Sequence, residues 1–200
     1  MRLIFATNNP HKLEEFRVAI GSKIEIISLA AAGIQIEIPE PFETLRENAQ
    51  VKARTIHKIS GENCFSEDTG LQVDALNGKP GVHSARYAGE PISYANNTKK
   101  ILRAMAQATN RSARFMTVIC LILDGREYFF EGRCEGKILY TECGEAGFGY
   151  DPVFQPEGAQ RSFAEMSPEE KNRYSHRRKA ADLLINFLKN QTDSFAHAQN

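Results

Sequence analysis

The stretch that decides the fold is residues 114–133, which read RFMTVICLIL-DG-REYFFEGR. Apolar and β-branched residues dominate both arms, Arg114–Leu123 and Glu127–Arg133, and the pair Asp124-Gly125 lies between them. Asp-Gly tolerates the left-handed backbone of a tight two-residue turn, so the pattern predicts a β-hairpin. A hairpin requires antiparallel pairing, and Ile138–Cys143 is predicted to extend the same meander.

Helix and strand signals alternate on both sides of this hairpin. Short apolar runs predict strands at Arg2–Ala6, Ile24–Ser28, Ile34–Ile38 and Cys64–Ser66. Capping residues predict helices that begin after Asn9, Thr44, Ser93, Ser167 and Ser175. The alternation predicts one α/β domain with a mixed sheet over residues 1–190 and a frayed polar tail at 191–200.

The composition is that of an ordinary globular domain. Hydrophobic residues make up 42% and charged residues 25% of the 200 positions, and a chain of this length can form a core without disulfides. Lys plus Arg and Asp plus Glu both number 25, so the formal net charge is zero. General binders of nucleic acids or membrane surfaces need a field of one sign, and the balance argues against both classes.

A cytoplasmic localisation is expected. The N-terminal apolar run is too short for the hydrophobic region of a signal peptide, and no later run approaches the roughly 20 residues of a membrane span. No Cys-x-x-Cys pair occurs among Cys64, Cys120, Cys134 and Cys143, which is typical of reduced thiols.

The first candidate site is the junction between the first strand and the first helix, Thr7-Asn8-Asn9-Pro10-His11-Lys12. A helix N-terminus offers unpaired N–H groups and a partial positive charge, which suit phosphate oxygens. Lys12 falls in the first turn, where a cation opposes the helix dipole, so a bound anion would explain it better. A plain helix cap with an exposed lysine is the alternative.

Lys52 is the second candidate. Steps of four and three residues along the second helix place it in an apolar stripe with Leu45, Ala49, Ile56 and Ile59. A lysine inside such a stripe costs several kcal/mol unless it is paired or points into a polar cleft. A lysine whose ammonium reaches the edge of the stripe is the alternative.

The acidic sequence Glu67-Asp68-Thr69-Gly70 is predicted where a strand runs into a turn. Adjacent carboxylates followed by a hydroxyl suit Mg²⁺, and one of the acids could instead orient a water molecule for attack. A turn in which the Asp side chain bonds its own backbone is the alternative.

Two aromatic residues and an acid lie among glycines in Gly147-Phe148-Gly149-Tyr150-Asp151-Pro152. Flexible backbone beside a flat ring suits a nucleobase, which gains about 1–3 kcal/mol by stacking. Rings that anchor the loop in the core are the alternative.

The dense basic run of the sequence is Lys171-Asn172-Arg173-Tyr174-Ser175-His176-Arg177-Arg178-Lys179. Arg177 falls on the apolar side of the helix that begins after Ser175, where its guanidinium can face a phosphate or a base carbonyl. A solvated basic face is the alternative.

In this order the motifs resemble the inosine triphosphate pyrophosphatase family, from residue 3 to about residue 188. The matching blocks are Thr7-x-Asn9-x-x-Lys12, Glu47-Asn48-Ala49-x-x-Lys52-Ala53, Glu67-Asp68-Thr69-Gly70-Leu71, Pro80-Gly81-Val82-x-Ser84-Ala85-Arg86-Tyr87, Gly147-Phe148-Gly149-Tyr150-Asp151-Pro152 and Lys171…Ser175-His176-Arg177. The resemblance implies a two-lobed α/β fold, with a long mixed sheet flanked by helices and an active site in the cleft between the lobes.

The resemblance also implies an activity, the Mg²⁺-dependent hydrolysis of ITP, dITP and XTP to the monophosphate and pyrophosphate. Such enzymes are usually homodimers, and they remove deaminated purines from the nucleotide pool. Asp68 would be the catalytic acid, which binds Mg²⁺ or takes the proton of the attacking water, and Glu40 a second metal ligand. The residues implied to bind substrate are Thr7, Asn8, Asn9, Lys12 and Lys52 at the triphosphate, and Thr69, Phe148, Gly149, Tyr150, Asp151, Lys171, His176 and Arg177 towards the base.

Two departures from the family leave details open. The family commonly has Asp-Asp-Ser-Gly at positions 67–70, and no glycine follows Glu40 at the family's spacing. Glu37, Glu43 and Glu67 therefore stay open as metal ligands beside Asp68. A nucleotide pyrophosphatase with another preference and a non-catalytic nucleotide-binding module are the alternative functions.

Overall fold

A mixed β-sheet organises the molecule in the computed structural model, which describes residues 1–21 and 24–197. The strands are β1 (Arg2–Phe5), β2 (Glu25–Ser28), β3 (Cys64–Val73), β4 (Pro80–Gly81), β5 (Ser112–Leu123), β6 (Arg126–Ile138) and β7 (Phe154–Pro156). The helices are α1 (Pro10–Ile20), α2 (Leu45–Ser60), α3 (Tyr94–Ala104), α4 (Pro168–Tyr174) and α5 (His176–His197). Over the described ranges the strand order is β2-β1-β3-β5-β6-β7, with β4 paired to β3. Because β1 pairs in parallel and the other pairs are antiparallel, the predicted mixed α/β sheet is confirmed.

The hairpin forms where the sequence predicts it. Strands β5 and β6 pair antiparallel from Ser112 with Lys137 to Leu123 with Arg126, and the turn residues Asp124 and Gly125 have φ values of 49° and 76°. The predicted extension over Ile138–Cys143 is wrong, because β6 ends at Ile138. Beyond it the chain follows the 152–153 segment, and the Leu139 amide donates to the carbonyl of Val153.

Strand β3 is longer than the sequence predicts. It continues to Val73 because residues 64–73 all pair with β5, so Glu67-Asp68-Thr69-Gly70 lies in mid-strand and the predicted turn is wrong. Gly70 allows a close approach instead, since a Cβ there would lie 2.5 Å from the carbonyl oxygen of Gly81 on β4. Alternation along the strand directs Glu67 and Asp68 to opposite faces of the sheet.

The strand predicted at Ile34–Ile38 does not form, which is a second correction. Turns over residues 29–33 redirect the chain after β2, and the amide of Ile34 donates to the carbonyl of Leu29. The Asn8 side chain then holds the carbonyl of Ile36 at 2.9 Å. The segment consequently borders the first strand–helix junction instead of joining the sheet.

The predicted helix starts are confirmed by their caps. Each capping side chain accepts a backbone N–H two or three residues ahead, at Asn9, Thr44, Ser93, Ser167 and Ser175. Residues 191–197 continue α5, and residues 198–200 lie outside the described residues. The frayed tail and the single domain over 1–190 stay predictions. None of the described helices has the length and apolar content needed to cross a membrane.

Apolar packing distinguishes the two faces of the central strands. On one face α1 and α5 pack against β1 and β3, where the rings of Phe5 and Phe65 stack at 4.4 Å. On the other face α2 packs against β3 and β5 through Ala49, Ala53 and Ile56. Strand β3 therefore presents Asp68 towards α2 and Glu67 towards α1 and α5.

Candidate active site

Two cavities adjoin because Asn9, Lys12, Thr69 and Ala85 line both of them. The larger, called the cleft here, has a volume of about 520 Å³ and is also lined by Thr7, Asn8, Glu37, Glu40, Lys52, Asp68 and Arg86. The smaller, called the slot, has a volume of about 90 Å³ and is also lined by Tyr94, Phe115, Phe148, Gly149, Tyr150, Asp151, Lys171, His176 and Arg177. All residues predicted for the site thus line one cavity or both.

The first strand–helix junction contributes Lys12. The Asn9 side chain caps α1 by accepting the backbone N–H groups of His11 and Lys12 at 3.0 and 3.3 Å. The Thr7 hydroxyl accepts the N–H of Asn9 at 3.2 Å, which fixes the junction. The Lys12 ammonium lies 2.7 Å from a Glu67 carboxylate oxygen, and its side chain is only 18% exposed. Lys12 is therefore a partly buried, paired cation and not the exposed lysine of a plain cap.

Lys52 bridges two carboxylates at the bottom of the cleft. Its Nζ lies 2.5 Å from Glu40 Oε1 and 2.8 Å from Asp68 Oδ1, and its side chain is 8% exposed. Glu40 also lies 3.3 Å from the guanidinium of Arg86. Of the two interpretations of the apolar stripe, the structure has the one in which Lys52 is paired in a polar cleft.

The two carboxyl groups beside Lys52 differ in proton affinity. Burial raises the pKa of Asp68 and outweighs the opposing effect of Lys52. Burial alone would raise the pKa of Glu40 as well, but the charge and hydrogen bond of Lys52 lower it. Burial therefore shifts the pKa of Asp68 in the direction that favours a proton acceptor, whereas Lys52 shifts the pKa of Glu40 in the opposite direction.

Glu40 and Asp68 are also the type of donor that a divalent cation takes, although Lys52 contacts both carboxylates in this structure. Mg²⁺ typically binds one or two carboxylates and completes its shell with water and substrate phosphates. Among the described residues, no group of three or more His, Cys, Asp or Glu side chains is arranged to hold a metal. The two carboxylates alone are too few to complete the coordination of a metal ion. They suit an ion whose remaining ligands include phosphate oxygens of a substrate.

The other candidate acids have different surroundings. Glu37 lines the cleft. Glu43 is 85% exposed and lies beside His83. Glu67 faces away from Lys52, across β3.

The glycine-rich loop divides its two aromatic residues between two roles. The Tyr150 ring is buried and its hydroxyl donates to the Ser84 carbonyl at 2.9 Å, so it anchors the loop. The Phe148 ring lines the slot, and the Lys171 ammonium lies 5.4 Å from its centroid. His11 stacks on Phe148 at 5.0 Å between centroids. The core-anchor interpretation therefore holds for Tyr150, whereas Phe148 faces the slot and its stacking on a nucleobase stays a prediction.

The basic run turns two cations inward. The Lys171 ammonium lies 2.8 Å from Glu15 and 2.7 Å from Asp151, and Arg177 forms an ion pair with Glu15. Burial would raise the pKa of Glu15, but Arg177 and Lys171 together lower it to about 2. Arg178 instead pairs with Asp182 along α5. The solvated-face alternative therefore fails for Lys171 and Arg177.

Two buried nitrogen atoms of the slot have no hydrogen-bond partner among the described residues, Nε of Arg177 and Nδ1 of His176. The imidazole of His176 stacks on Phe115 at 4.7 Å between centroids. Burial, followed by the charge of Arg177, lowers the pKa of His176 well below its usual range. His176 is therefore neutral near pH 7, and two nitrogen atoms in the wall of the slot stay without a partner among the described residues.

Three residues of the site were missed from the sequence. Glu15 lies three residues after Lys12, so helical spacing could have placed both on one side of α1. Arg86 lies within one of the motifs that resemble the family, but the sequence did not predict a function for it. Tyr94 lines the slot with its ring 5.9 Å from Phe148, and no sequence pattern marks it.

Comparison with known proteins identifies similar chains over almost the whole length. A sequence profile of the Ham1 family matches residues 3–187. A dITP/XTP pyrophosphatase of Porphyromonas gingivalis is 53% identical over 189 residues, which cover 94% of this chain and 97% of the relative. The Ham1 protein of Staphylococcus aureus superposes with a TM-score of 0.87 at 36% identity, covering 96% of this chain and 100% of that chain. A nucleoside-triphosphatase or dITP/XTP pyrophosphatase of Mycobacterium abscessus gives a TM-score of 0.76 at 40% identity, with 92% and 98% covered.

Proposed function

The chain belongs to the Ham1 family, and we propose that it hydrolyses dITP, XTP and ITP to the nucleoside monophosphate and pyrophosphate. One observation carries the proposal: the slot and the cleft meet at Lys12 and Thr69. The slot offers an aromatic ring and unused donors to a base, and the cleft offers cations and a basic carboxylate to a phosphate chain. The names of the similar enzymes support the same substrates.

In the proposed reaction, a water molecule attacks the α-phosphorus of the bound nucleotide. A new P–O bond forms, the bond to the bridging oxygen breaks, and pyrophosphate leaves. Asp68, whose carboxylate lines the cleft beside Lys52, takes the proton of the water. Lys52 and Lys12 hold the phosphate oxygens and stabilise the charge that develops on pyrophosphate.

Glu40 and Asp68 are proposed to hold Mg²⁺ together with oxygens of the triphosphate. Bound there, the ion would neutralise part of the charge of the leaving pyrophosphate. The support is the pair of carboxylates on one side of a cleft with room for phosphate.

Selectivity for a 6-oxo purine is proposed to come from the donors of the slot. Arg177 and Lys171 offer N–H groups to a carbonyl oxygen, and Arg177 has one N–H without a partner among the described residues. A 6-amino group would leave a buried donor unpaired, at a cost of about 1–3 kcal/mol. The base itself would stack on Phe148.

Three broader features complete the proposal. The zero net charge supports a protein that binds nucleotides and not nucleic acid. The cysteines at positions 64, 120, 134 and 143 are free, which supports the reducing cytoplasm. A homodimer follows from the family resemblance, and sedimentation equilibrium of the full chain would measure it.

Pyrophosphate release from dITP, ITP, XTP, dGTP and dATP with Mg²⁺ tests the function. The wild type should cleave the first three, and Asp68→Asn should lose the activity by about 10²–10⁴-fold because its proton acceptor is gone. Asp182→Asn is the matched control, since that half-buried aspartate lies on α5 outside both cavities. Absence of release from every nucleotide would refute the activity, and equal cleavage of all five would refute the selectivity.

A further inference from the structure

Glu67 is a buried carboxylate that the proposed reaction does not use. Its side chain has no solvent exposure, in contrast to the adjacent Asp68, which lines the cleft. One of its oxygens, Oε1, lies 2.7 Å from the Lys12 ammonium and 3.6 Å from Nη2 of Arg177. The other, Oε2, accepts the hydroxyl of Thr69. Burying an anion this completely costs free energy, and the attraction of the two neighbouring cations offsets that cost.

These cations serve different ends of the site. Lys12 lines both the cleft and the slot, whereas Arg177 lines the slot alone. Lys12 belongs to α1 and Arg177 to α5, two helices that are distant in sequence. Because both side chains are positively charged, they do not bind each other directly. The Glu67 oxygen lies between them and joins the two helices electrostatically.

The buried Glu67 carboxylate has charged or polar partners on both oxygens. Oε1 forms ion pairs with Lys12 and Arg177, and Oε2 accepts the hydroxyl of Thr69. Lys12 stands in the first turn of α1, where the helix dipole disfavours a cation, and the carboxylate offsets this cost. Arg177 also pairs with Glu15, so the guanidinium lies between two carboxylates, whereas the Lys12 ammonium pairs with Glu67 and also lines the cleft.

We propose that Glu67 is a positioning residue that couples base binding in the slot to phosphate binding in the cleft; this rests on the proposed function. A base that fixes Arg177 also fixes the shared oxygen, and through it the ammonium of Lys12. The phosphate chain then meets a Lys12 ammonium that is already held by the shared oxygen, so each ligand strengthens the binding of the other. Glu67 touches neither ligand in this account and acts through the two cations.

The coupling is measured with probes that each occupy one cavity. Tripolyphosphate binding to the full chain is titrated calorimetrically in Mg²⁺ buffer, without inosine and with inosine at saturation. In the wild type, inosine should lower the dissociation constant of tripolyphosphate about 5-fold. Glu67→Gln should reduce this factor to below about 2-fold, because the neutral amide no longer attracts both cations.

Two further variants make the result decisive. Glu67→Asp keeps the negative charge but moves it one methylene away from the two cations. The factor by which inosine lowers the dissociation constant should therefore fall to an intermediate value. If Glu67→Gln does not fold, Glu67→Asp is the variant that tests the inference. Glu131→Gln, on β6 with its partner Arg46 3.7 Å away, is a carboxylate control and should keep the full factor. A purely structural role for Glu67 would lower the fraction of folded protein without changing the ratio of the two dissociation constants.

Three outcomes overturn the inference: no coupling in the wild type, an unchanged factor in Glu67→Gln, or an unchanged factor in Glu67→Asp. The wild type is assayed for ITP hydrolysis in parallel. Hydrolysis without Glu67-dependent coupling would refute this inference alone, whereas absence of hydrolysis with all the nucleotides tested would refute the proposed function.

Discussion

Glu67 and Asp68 are neighbours in the sequence, yet they lie in two different electrostatic regions. Asp68 faces α2 and shares Lys52 with Glu40, so two acids surround one cation. Glu67 faces α1 and α5 and lies between Lys12 and Arg177, so two cations surround one acid. Both carboxylates are buried, but the pKa of Asp68 is raised and that of Glu67 is lowered.

The opposite pKa shifts of the two carboxyl groups follow from the balance between burial, which raises both pKa values, and the neighbouring cations, which lower them. With too few cations nearby, burial dominates and the group becomes a proton acceptor. With a surplus of cations, the group stays ionised and organises its surroundings. A single step along a β-strand separates these roles, because it moves the side chain to the other face of the sheet.

The largest expected effect is a contrast in stability between the two neutral variants. Glu67→Gln should lower the free energy of unfolding by about 3 kcal/mol, because it leaves buried cations without their anion. Asp68→Asn should change it by less than about 1 kcal/mol, since burial already disfavours the charge of Asp68 and Lys52 keeps Glu40 as its partner. Urea unfolding at pH 7 measures both values. Equal losses in the two variants would mean that the two regions do not differ as described.

The contributions of the two regions to the free energy of unfolding should also change with pH in opposite directions. Glu15 belongs to the Glu67 side, and its pKa is lowered to about 2, so its stabilisation is present above the ordinary value near 4.5 and is lost as the pH falls. At neutral pH it should contribute roughly 2 kcal/mol, after allowance for the partial exposure of Glu15. The raised pKa of Asp68 has the opposite consequence, because its contribution is present in acid and is lost as the pH rises through that pKa.

Unfolding free energies of the wild type, Glu15→Gln and Asp68→Asn between pH 3 and pH 8 test these signs. The deficit of Glu15→Gln relative to the wild type should shrink towards pH 3. The free energy of unfolding of Asp68→Asn should increase relative to that of the wild type as the pH rises. Parallel curves for all three proteins would contradict the assignment of opposite charge environments.

Removing Lys52 should sharpen the contrast on the catalytic side. In Lys52→Met, Asp68 and Glu40 face each other without their shared cation, so the pKa of Asp68 should rise further. The acid limb of kcat/KM for ITP should then move up by about one pH unit, in addition to a general loss of rate. Lys58→Met, at an exposed position of the same helix, is the control and should leave the limb in place. An unmoved limb in Lys52→Met would show that another group accepts the proton.

What the sequence could predict here is mostly local. Helix caps such as Asn9 and Thr44 are decided by three or four adjacent residues, and Lys52 is marked by the stripe of its own helix. The family resemblance placed the remaining site residues, all of which line the two cavities.

What could not be predicted depends on long-range pairing. Strand β3 continues through the acidic motif only because β5 pairs with it, and Thr69 meets Thr117, 48 positions later in the chain. The ion pair of Glu15 and Arg177 spans 162 positions, so no local pattern announces it. Glu67 and Asp68 lie on opposite faces of the sheet because β3 continues through them. The predicted turn at these residues gave no basis for assigning a face to either acid.

The smallest expected effect concerns the hydroxyl pair behind Glu67. A hydroxyl has one proton, and Thr69 gives its proton to Glu67, so Thr117 is the donor in the 2.5 Å contact between the two threonines. Thr117→Val removes that donor but leaves the bond from Thr69 to Glu67, and it should cost about 1 kcal/mol of unfolding free energy. Turnover of ITP should stay within about twofold, because neither carboxylate loses a charged partner. Thr117→Ser, which restores the hydroxyl, should recover most of the stability in the same urea titration. A large loss of turnover in Thr117→Val would mean that β5 acts on the reaction through this chain, and the division between an organising face and a reacting face of β3 would then fail.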